Sequence, residues 1–529
     1  MEERVKAEDY ANQLPEHLLH HIFSYLSIKQ IVQTSVLSKA WYRAWNTLHI
    51  LEFNFSHIFE QNRAKYMETE STSDINRQQL YDFADQVLLT RRRQMINLKK
   101  FTVRMPWFYL TPHTVSAIDR WIGYALESRV KELKFGAGAS HKDENFKYSV
   151  PLSVFDSKWM QVLSLSDCKL KLPFSGNVKL SCLKKIALRN VYVDDNFIRE
   201  LLAGSPMLEY ICLREVFGIK ELNVFDLAKL GKIAIEMLPD LEKLTINAPK
   251  LETITWKIHK WPFSVNLGDS CKNLSFSHAP FSDKWLNEQL TRFPHLENLT
   301  LYMCPYLQKI AISNLLVSGL SISCCRDLRI VRIDAPCLRH FTYEGDIVPI
   351  LSSINCITLS EVSLDFNSKY MDNTWYTELI ELLANFNTCF NVLKYVFTSM
   401  TGRLQWVVIP EEVRKMVAPP LSNVKELNFH IWSQRKAEAL PMVQLEDAMS
   451  WIAPHPNSLS ISVDHLYKGG VASNRKSLIR ERGGVNPVVE KVDVMAKWAV
   501  FEPTGPRIER KSQLHFLSLK VLNPNARFK

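Results

Sequence analysis

The stretch Leu14-Pro15-Glu16-His17-Leu18-Leu19-His20-His21-Ile22-Phe23-Ser24-Tyr25-Leu26 runs on into Ser27-Ile28-Lys29-Gln30-Ile31-Val32-Gln33-Thr34-Ser35-Val36-Leu37-Ser38-Lys39-Ala40-Trp41-Tyr42-Arg43-Ala44-Trp45. It reads as three short helices. Pro15 suits a first helical position, where its missing N–H costs nothing. Leu18, Ile22 and Leu26 recur every four residues, and Leu19 with Phe23 widens that stripe. Ser27 and Ser38 can cap the second and third helices by accepting a bond from an exposed backbone N–H. Ile28, Ile31, Val32, Ser35 and Val36 form the expected buried side of the second helix, and Trp41 and Trp45 sit one turn apart on the third. A unit of about 40 residues usually needs a disulfide, a metal or a partner to be stable, and this one has no cysteine. Part of its apolar surface must dock elsewhere, either on a partner or on the rest of its own chain. Periodicity leaves both open.

Leu-Pro, then Ile-Phe-Ser-Tyr-Leu, a thin polar break, and Val-Leu-Ser-Lys-x-Trp with a second Trp resemble an F-box over residues 10–55. Leu48, Leu51 and Phe53 match the strand-like exit of plant F-box proteins with leucine-rich repeats. Tyr42 departs from the Arg often found after the first Trp. The resemblance implies that Leu14, Pro15, Leu18, Ile22, Leu26, Ile31, Val36, Ser38 and Trp41 meet a Skp-type adaptor, or brace the surface that does. Through the adaptor the chain would reach a cullin.

Working outward, Gln79–Leu89 is helical in pattern, with Leu80, Phe83, Val87 and Leu88 on one face. Arg91-Arg92-Arg93 reads as its solvated end, favourable near a helix C-terminus. From about residue 130 short alternating strands repeat. They include Val130–Phe135, Val162–Leu170, Leu183–Leu188, Leu208–Leu213, Leu241–Ile246, Leu251–Ile254, Leu296–Cys304, Leu320–Leu328, Leu328–Ile333 and Leu338–Tyr343. They fit the leucine-rich template, in which alternate Leu residues face the core. Cys168, Cys304 and Cys325 occupy its Asn/Cys position, at a bend where a small group meets backbone. Spacing between strands is irregular, and the longer units leave room for helices at Asp194–Leu202 and Phe281–Phe293.

One repeat cannot bury its own face, so the array is expected to stack into a curved solenoid. Lys243, Glu252, Glu297, Asn298, Tyr302 and Arg332 are of the type displayed on its strand-lined surface. After Phe366 the pattern changes. Trp375–Phe386 and Leu445–Ile452 read as helices, Val424–Ile431 and Ser458–Ile461 as strands, resembling the terminal region of plant F-box/leucine-rich-repeat proteins. The expected α/β organisation is therefore an F-box at 10–55, a helical linker with the first strands at 56–129, and repeats of mostly parallel strands at 130–366. C-terminal repeats with an FBD-like region follow at 367–467, then a basic, flexible tail at 468–529.

The chain has 529 residues, 46% hydrophobic and 23% charged, an ordinary globular balance with room for more than one domain. It shows no 18-residue apolar run and no secretory leader. Its ten cysteines lie between Cys168 and Cys389 without a Cys-x-x-Cys pair. Reduced thiols in the cytoplasm or nucleus follow as the expectation, with the Asn54, Asn273 and Asn298 sequons unglycosylated. The formal charge is +10, but residues 468–529 hold 13 Lys/Arg against 5 Asp/Glu. The excess therefore sits mainly in the tail, without the aromatic interleaving of a nucleic-acid site.

No Gly-x-x-x-x-Gly-Lys, His-Glu-x-x-His or Gly-x-Ser-x-Gly motif is present. His17 and His21 have i,i+4 spacing but no further ligand, and the Cys324-Cys325 pair has no poised base. The expectation is a non-catalytic receptor with no cofactor or metal, holding a target protein in its repeats. The alternatives are a small-molecule (hormone-like) co-receptor and, through the tail, a polyanion binder.

Overall fold

The computed structural model describes residues 14–55, 70–94, 96, 98–105, 111–138, 147–171, 178–257, 264–366, 371–387, 392–399, 408–424, 426–433, 442–455 and 458–465, and four short strands beyond. The chain divides into two compact units, Met1–Ser270 and Cys271–Lys529.

The first unit opens on three helices, α1 (Glu16–Phe23), α2 (Ile28–Thr34) and α3 (Lys39–Thr47). Pro15 stands one position outside α1, and its carbonyl accepts the Leu18 and Leu19 N–H groups. Ser27 and Gln30 close a reciprocal capping box on α2, and the Ser38 hydroxyl accepts the Trp41 N–H to start α3. Leu19, Phe23, Ile28, Ile31, Trp41, Ala44 and Trp45 are buried, with the Phe23 and Trp41 rings 5.7 Å apart. The expected buried side of α2 fails at one residue. Val36 lies past the helix end and is 84% exposed, because the chain turns there toward α3.

The cap runs directly into a sheet. β1 (Ile50–Asn54) pairs in parallel with β2 (Lys100–Arg104), Ile50 opposite Lys100. Between them comes α4 (Glu70–Arg93), and after β2 comes α5 (Pro112–Glu127). Phe53 and Phe55 of the exit stack on Trp121 of α5. The Trp121 indole N–H donates to Asp85 at 2.7 Å. The parallel ladder continues through β3 (Glu132–Gly136), β5 (Val162–Ser166), β7 (Lys185–Tyr192), β8 (Tyr210–Phe217), β10 (Lys232–Glu236) and β12 (Thr253–Lys257). The short β4 (Tyr148–Ser149) and β6 (Cys168–Lys169) flank it. A second parallel sheet holds β9 (Glu221–Val224), β11 (Lys243–Ile246) and β13 (Ser264–Leu267), with α6 (Asp195–Ala203) ahead of it.

The second unit repeats this plan. Its main ladder runs from β14 (Asn273–Ser277) through β15 (Asn298–Tyr302), β17 (Gly319–Ser323), β19 (His340–Gly345) and β21 (Glu361–Phe366). It continues past Phe366 into β22 (Val392–Ser399), β23 (Glu426–Ser433) and β24 (Ser458–His465). The secondary sheet is β16 (Lys309–Ser313), β18 (Ile330–Asp334) and β20 (Ile350–Asn355). Helices α7 (Asp283–Leu290), α8 (Asn373–Ala384), α9 (Glu411–Met416) and α10 (Met442–Ile452) lie between strands. The basic tail holds the short β25 (Val471–Asn474), β26 (Lys476–Glu481), β27 (Val488–Glu490) and β28 (Val494–Lys497), with β26 antiparallel to β24. The flexible tail was expected over 468–529; these four strands form within that range, and the rest of it falls outside the described residues.

 The helices read from sequence at Asp194–Leu202, Phe281–Phe293, Trp375–Phe386 and Leu445–Ile452 form as α6, α7, α8 and α10, and α9 is the fifth, too short for its periodicity to show.

Two sheets also explain the irregular spacing. Strands about ten residues apart in sequence belong to different sheets. Within one sheet the register is regular, with Asn298, Gly319, His340 and Glu361 side by side. Lys243 and Arg332, expected on the main strand-lined surface, therefore sit on the secondary sheets of their units. Asn298 and Tyr302 lie on a main-sheet strand. The corner after several main strands takes a left-handed residue, as at Asp167, Met237, His278, Met303 and Cys324. A non-glycine residue there costs about 1–2 kcal/mol, which the stacked neighbours offset. Cys304 and Cys325 are buried at the next position, and their thiols donate to the Tyr302 and Ser323 carbonyls at 3.8 and 3.7 Å. This is the structural role expected of them. Burial and the Glu344 carboxylate push the Cys324 thiol up to about 12, so it stays protonated.

Each secondary sheet begins on an edge that a helix covers. The Asp195 carboxylate accepts the Lys220 and Glu221 N–H groups at 2.7 and 3.0 Å. Asp283 does the same for Gln308 and Lys309, at 2.8 and 3.0 Å. An edge strand's outward N–H groups would otherwise invite another chain.

The cap is clasped to the array by Arg91, and here the solvated-end reading of the arginine triplet is corrected. Arg91 is only 1% exposed. Its two terminal nitrogens donate to the Trp45 and Leu48 carbonyls, each at 2.6 Å, and its guanidinium lies 4.0 Å from the centre of a Trp45 ring. At the end of α3 the Trp45 carbonyl receives the Leu48 N–H only at 3.3 Å, and the planar fork meets that carbonyl and the Leu48 carbonyl at once. Burial lowers the Arg91 pKa to about 10, so it remains charged at neutral pH. Arg92 reaches outward instead, to Glu127 at 2.9 Å.

Arg91→Ala is expected to cost about 2–4 kcal/mol, from the lost charged donors and the Leu48 carbonyl left without its donor. Arg91→Lys recovers only part of this. Urea unfolding measures it, and an unchanged midpoint for Arg91→Ala refutes the clasp. Asp283→Ala is expected to cost about 1–2 kcal/mol and to speed amide exchange at Gln308 and Lys309. Protection left intact there shows that Asp283 does not guard the strand edge.

Candidate docking face of the helical cap

Burial divides the apolar residues of the cap into two sets. Leu19 and Phe23 of α1 face inward, against α2 and α3. On the other flank of α1, Leu18 is 41% exposed, Ile22 and Leu26 are half-buried, and Tyr25 is 77% exposed. Pro15 is exposed and Leu14 half-buried at the start of the helix. In the turn between α2 and α3, Val36 and Leu37 are both exposed, Leu37 by 66%. The cap thus closes a small core and still presents large apolar side chains to solvent. Fully burying one such residue is worth about 1.5–3 kcal/mol, so these positions favour a partner.

Of the nine residues singled out from sequence, Leu14, Pro15, Leu18, Ile22, Leu26 and Val36 are at least partly exposed. Ile31 and Trp41 are buried, and the half-buried Ser38 caps α3. These three support the outer set from within. Tyr25, Leu37 and the half-exposed Tyr42 were missed. The signal for Tyr25 was available, since it stands three residues from Ile22 on the same helical side.

The histidines do not form a metal site. The His20 Nε2 lies 2.9 Å from the Ala44 carbonyl oxygen and 3.2 Å from the Thr47 hydroxyl, tying α1 to α3. Thr47 in turn donates to Glu16 at 2.5 Å. The His21 ring meets Tyr25 edge-on at 5.2 Å, and His17 is exposed. Among the described residues no three His, Cys, Asp or Glu side chains are grouped to hold a metal ion. Among them, too, no helix is long and apolar enough to cross a membrane.

The comparisons with known proteins agree with this division of the chain. Residues 12–53 match the model of the F-box domain, and residues 89–301 match the model described as At1g61320/AtMIF1, LRR domain. The chain is similar to the F-box/FBD/LRR-repeat protein At1g13570 of Arabidopsis thaliana, 27% identical over 261 residues, covering 47% of this chain and 56% of the relative. It is also similar to the F-box/FBD/LRR-repeat protein At4g26340 of the same plant, 30% identical over 203 residues, with coverage of 38% and 42%. A third relative, the F-box/LRR-repeat protein At3g03360, is 27% identical over 234 residues, with coverage of 43% and 42%. The chain spans about half the length of the curated relatives it matches. With a helical cap matching the F-box and parallel strands matching the repeat domain, the chain is similar to the plant F-box/leucine-rich-repeat proteins.

Proposed function

We propose that this chain is the target-recognition subunit of a Skp–cullin–F-box type ubiquitin ligase. The cap binds a Skp-type adaptor through Leu14, Pro15, Leu18, Ile22, Leu26 and Val36, joined by Tyr25 and Leu37. Ile31, Ser38 and Trp41 hold that surface in shape. The repeats hold a target protein. The receptor makes and breaks no bonds; it raises the local concentration of the target beside the charged conjugating enzyme.

The observation that carries this reading is the exposed apolar set of the cap, left over after its own core is closed. The Arg91 clasp adds to it. A receptor that delivers a target by proximity benefits from a stiff joint between its adaptor-binding end and its repeats, and Arg91 makes that joint a bidentate, buried one. The half-buried and exposed side chains of the main sheets give the repeats a surface for the target.

Co-purification with a Skp-type adaptor tests the reading. Wild-type chain is expected to retain the adaptor, and Leu14→Ala with Pro15→Ala to lose most of it. Val36→Asp with Leu37→Asp should weaken capture at least about tenfold, since a carboxylate resists burial in an apolar contact. Circular dichroism of each variant confirms folding. A wild-type chain that captures no adaptor, or folded variants that bind undiminished, refutes the proposal. Point substitutions are preferable to deleting residues 1–50, which would strip Arg91 of Trp45 and Leu48.

A further inference from the structure

The outward positions of the two main sheets differ sharply in charge. In the first unit, β1, β2, β3, β5, β7, β8, β10 and β12 present Lys100, Arg104, Lys134, Lys185, Arg189, Arg214, Lys232 and Lys257 between their buried residues. Against these eight cations stand Glu52, Glu132 and Glu236. In the second unit, the same positions of β14, β15, β17, β19 and β21 carry Glu344 and Glu361, with no Lys or Arg in these five strands. Serine, threonine and asparagine fill most of the rest. The cationic excess thus belongs to one sheet face and is not a property of the repeat pattern.

The arrangement across β5 to β12 is graded as well as charged. The central row, Ser164, Ala187, Cys212, Ala234 and Thr255, consists of small side chains set in register. Lys185 and Lys232 border it on one side, and Lys232 lies over the Tyr210 ring at 5.6 Å. Arg189, Arg214 and Lys257 border it on the other. Glu236 pairs with Arg214 at 2.6 Å. At the corners beyond, Asp167 accepts the Asn190 amide at 2.7 Å, and Glu215 adds one further carboxylate. The tail at 468–529 is itself basic, so it does not supply the countercharge.

We propose that this face of the first unit binds an acidic segment of the target protein, laid along the row of small residues between the two rows of cations. The inference rests on the reading of the repeats as the target-holding part. Small side chains let a backbone approach, and flanking Lys and Arg steer and pair with carboxylates on either side. Exposed pairs contribute little singly, so recognition depends on several acting together and weakens with salt.

Fluorescence anisotropy with a labelled peptide of alternating Glu and Ala tests this on the full chain bound to its adaptor. A Lys–Ala peptide and an oligothymidylate serve as comparison probes. The Glu–Ala peptide should bind, with affinity falling about tenfold between low and physiological salt. Lys185→Glu with Lys232→Glu should weaken it at least about tenfold. The charge-matched pair Lys309→Glu with Arg332→Glu, on the secondary sheet of the second unit, should leave it unchanged. No binding by wild type, or equal loss in both double variants, overturns the proposal. Tighter binding of the oligothymidylate that the Lys185/Lys232 pair abolishes also overturns it, in favour of a nucleic acid. Adaptor capture is measured on the same samples. Loss of capture by wild type defeats the ligase reading, whereas intact capture with no peptide binding defeats only the acidic-target inference.

Discussion

A single strand of this molecule cannot bury its own apolar side chains or satisfy both of its backbone edges. Every other feature follows from that constraint. A parallel ladder solves it only by having a next strand, so each unit is a succession in which one repeat completes another. The ladder of the first unit must begin somewhere, and it begins in the helical cap. β1 comes straight off α3 and pairs with β2, while Phe53 and Phe55 enter the core formed with α4 and α5. The cap is therefore built into the edge of the array. Arg91 completes the join by donating to the Trp45 and Leu48 carbonyls at the end of α3.

The same constraint explains the corners and the secondary sheets. Each repeat has to turn after its main strand, and several of these turns take a left-handed residue even where that residue is Met or Cys. Such a conformation persists because flanking strands are locked in register on both sides. Cysteine suits the position that follows. Its thiol is small enough for the crowded interior, and it can donate to the carbonyls that the turn leaves exposed there. Where a secondary sheet starts, the missing earlier strand is replaced by one carboxylate at the N-terminus of a helix. Asp195 and Asp283 perform this task in the two units, Asp195 accepting both N–H groups on one oxygen and Asp283 one on each.

Closing the core has a consequence for the cap. Three helices of this length offer more apolar side chains than their mutual contacts and the array can cover. Those left outward, Leu18, Tyr25, Val36 and Leu37, give a partner its area. Those turned inward fix where the outward ones stand. Function is divided accordingly: an apolar face at the cap, and on the first main sheet a face patterned by charge. Of the thiols at the bends, Cys324 is held protonated, and Cys304 and Cys325 are buried.

Much of this was legible in the residues. The helix caps at Ser27 and Ser38, the alternating Leu of the strands, the helices at Asp194–Leu202 and Phe281–Phe293, and the cysteines at the bends all follow from local rules, because capping, alternation and turn chemistry act within a few positions. What distance along the chain conceals was decided by the fold. Arg91 looked like any cation at a helix end, and only the return of α4 past the cap gives it the Trp45 and Leu48 carbonyls, more than forty residues away. Strand spacing looked irregular until strands were sorted into two sheets, since a sequence shows order but not which neighbour a strand will pair with. Val36 matched the buried stripe of α2 by its type, yet the end of the helix turned it outward. The cationic rows became visible only in register, where residues some twenty positions apart stand side by side. The sequence by itself determined which elements form and which chemistry they lack. Only the tertiary structure decided which side chains share a face, because that depends on long-range pairing that no local rule encodes.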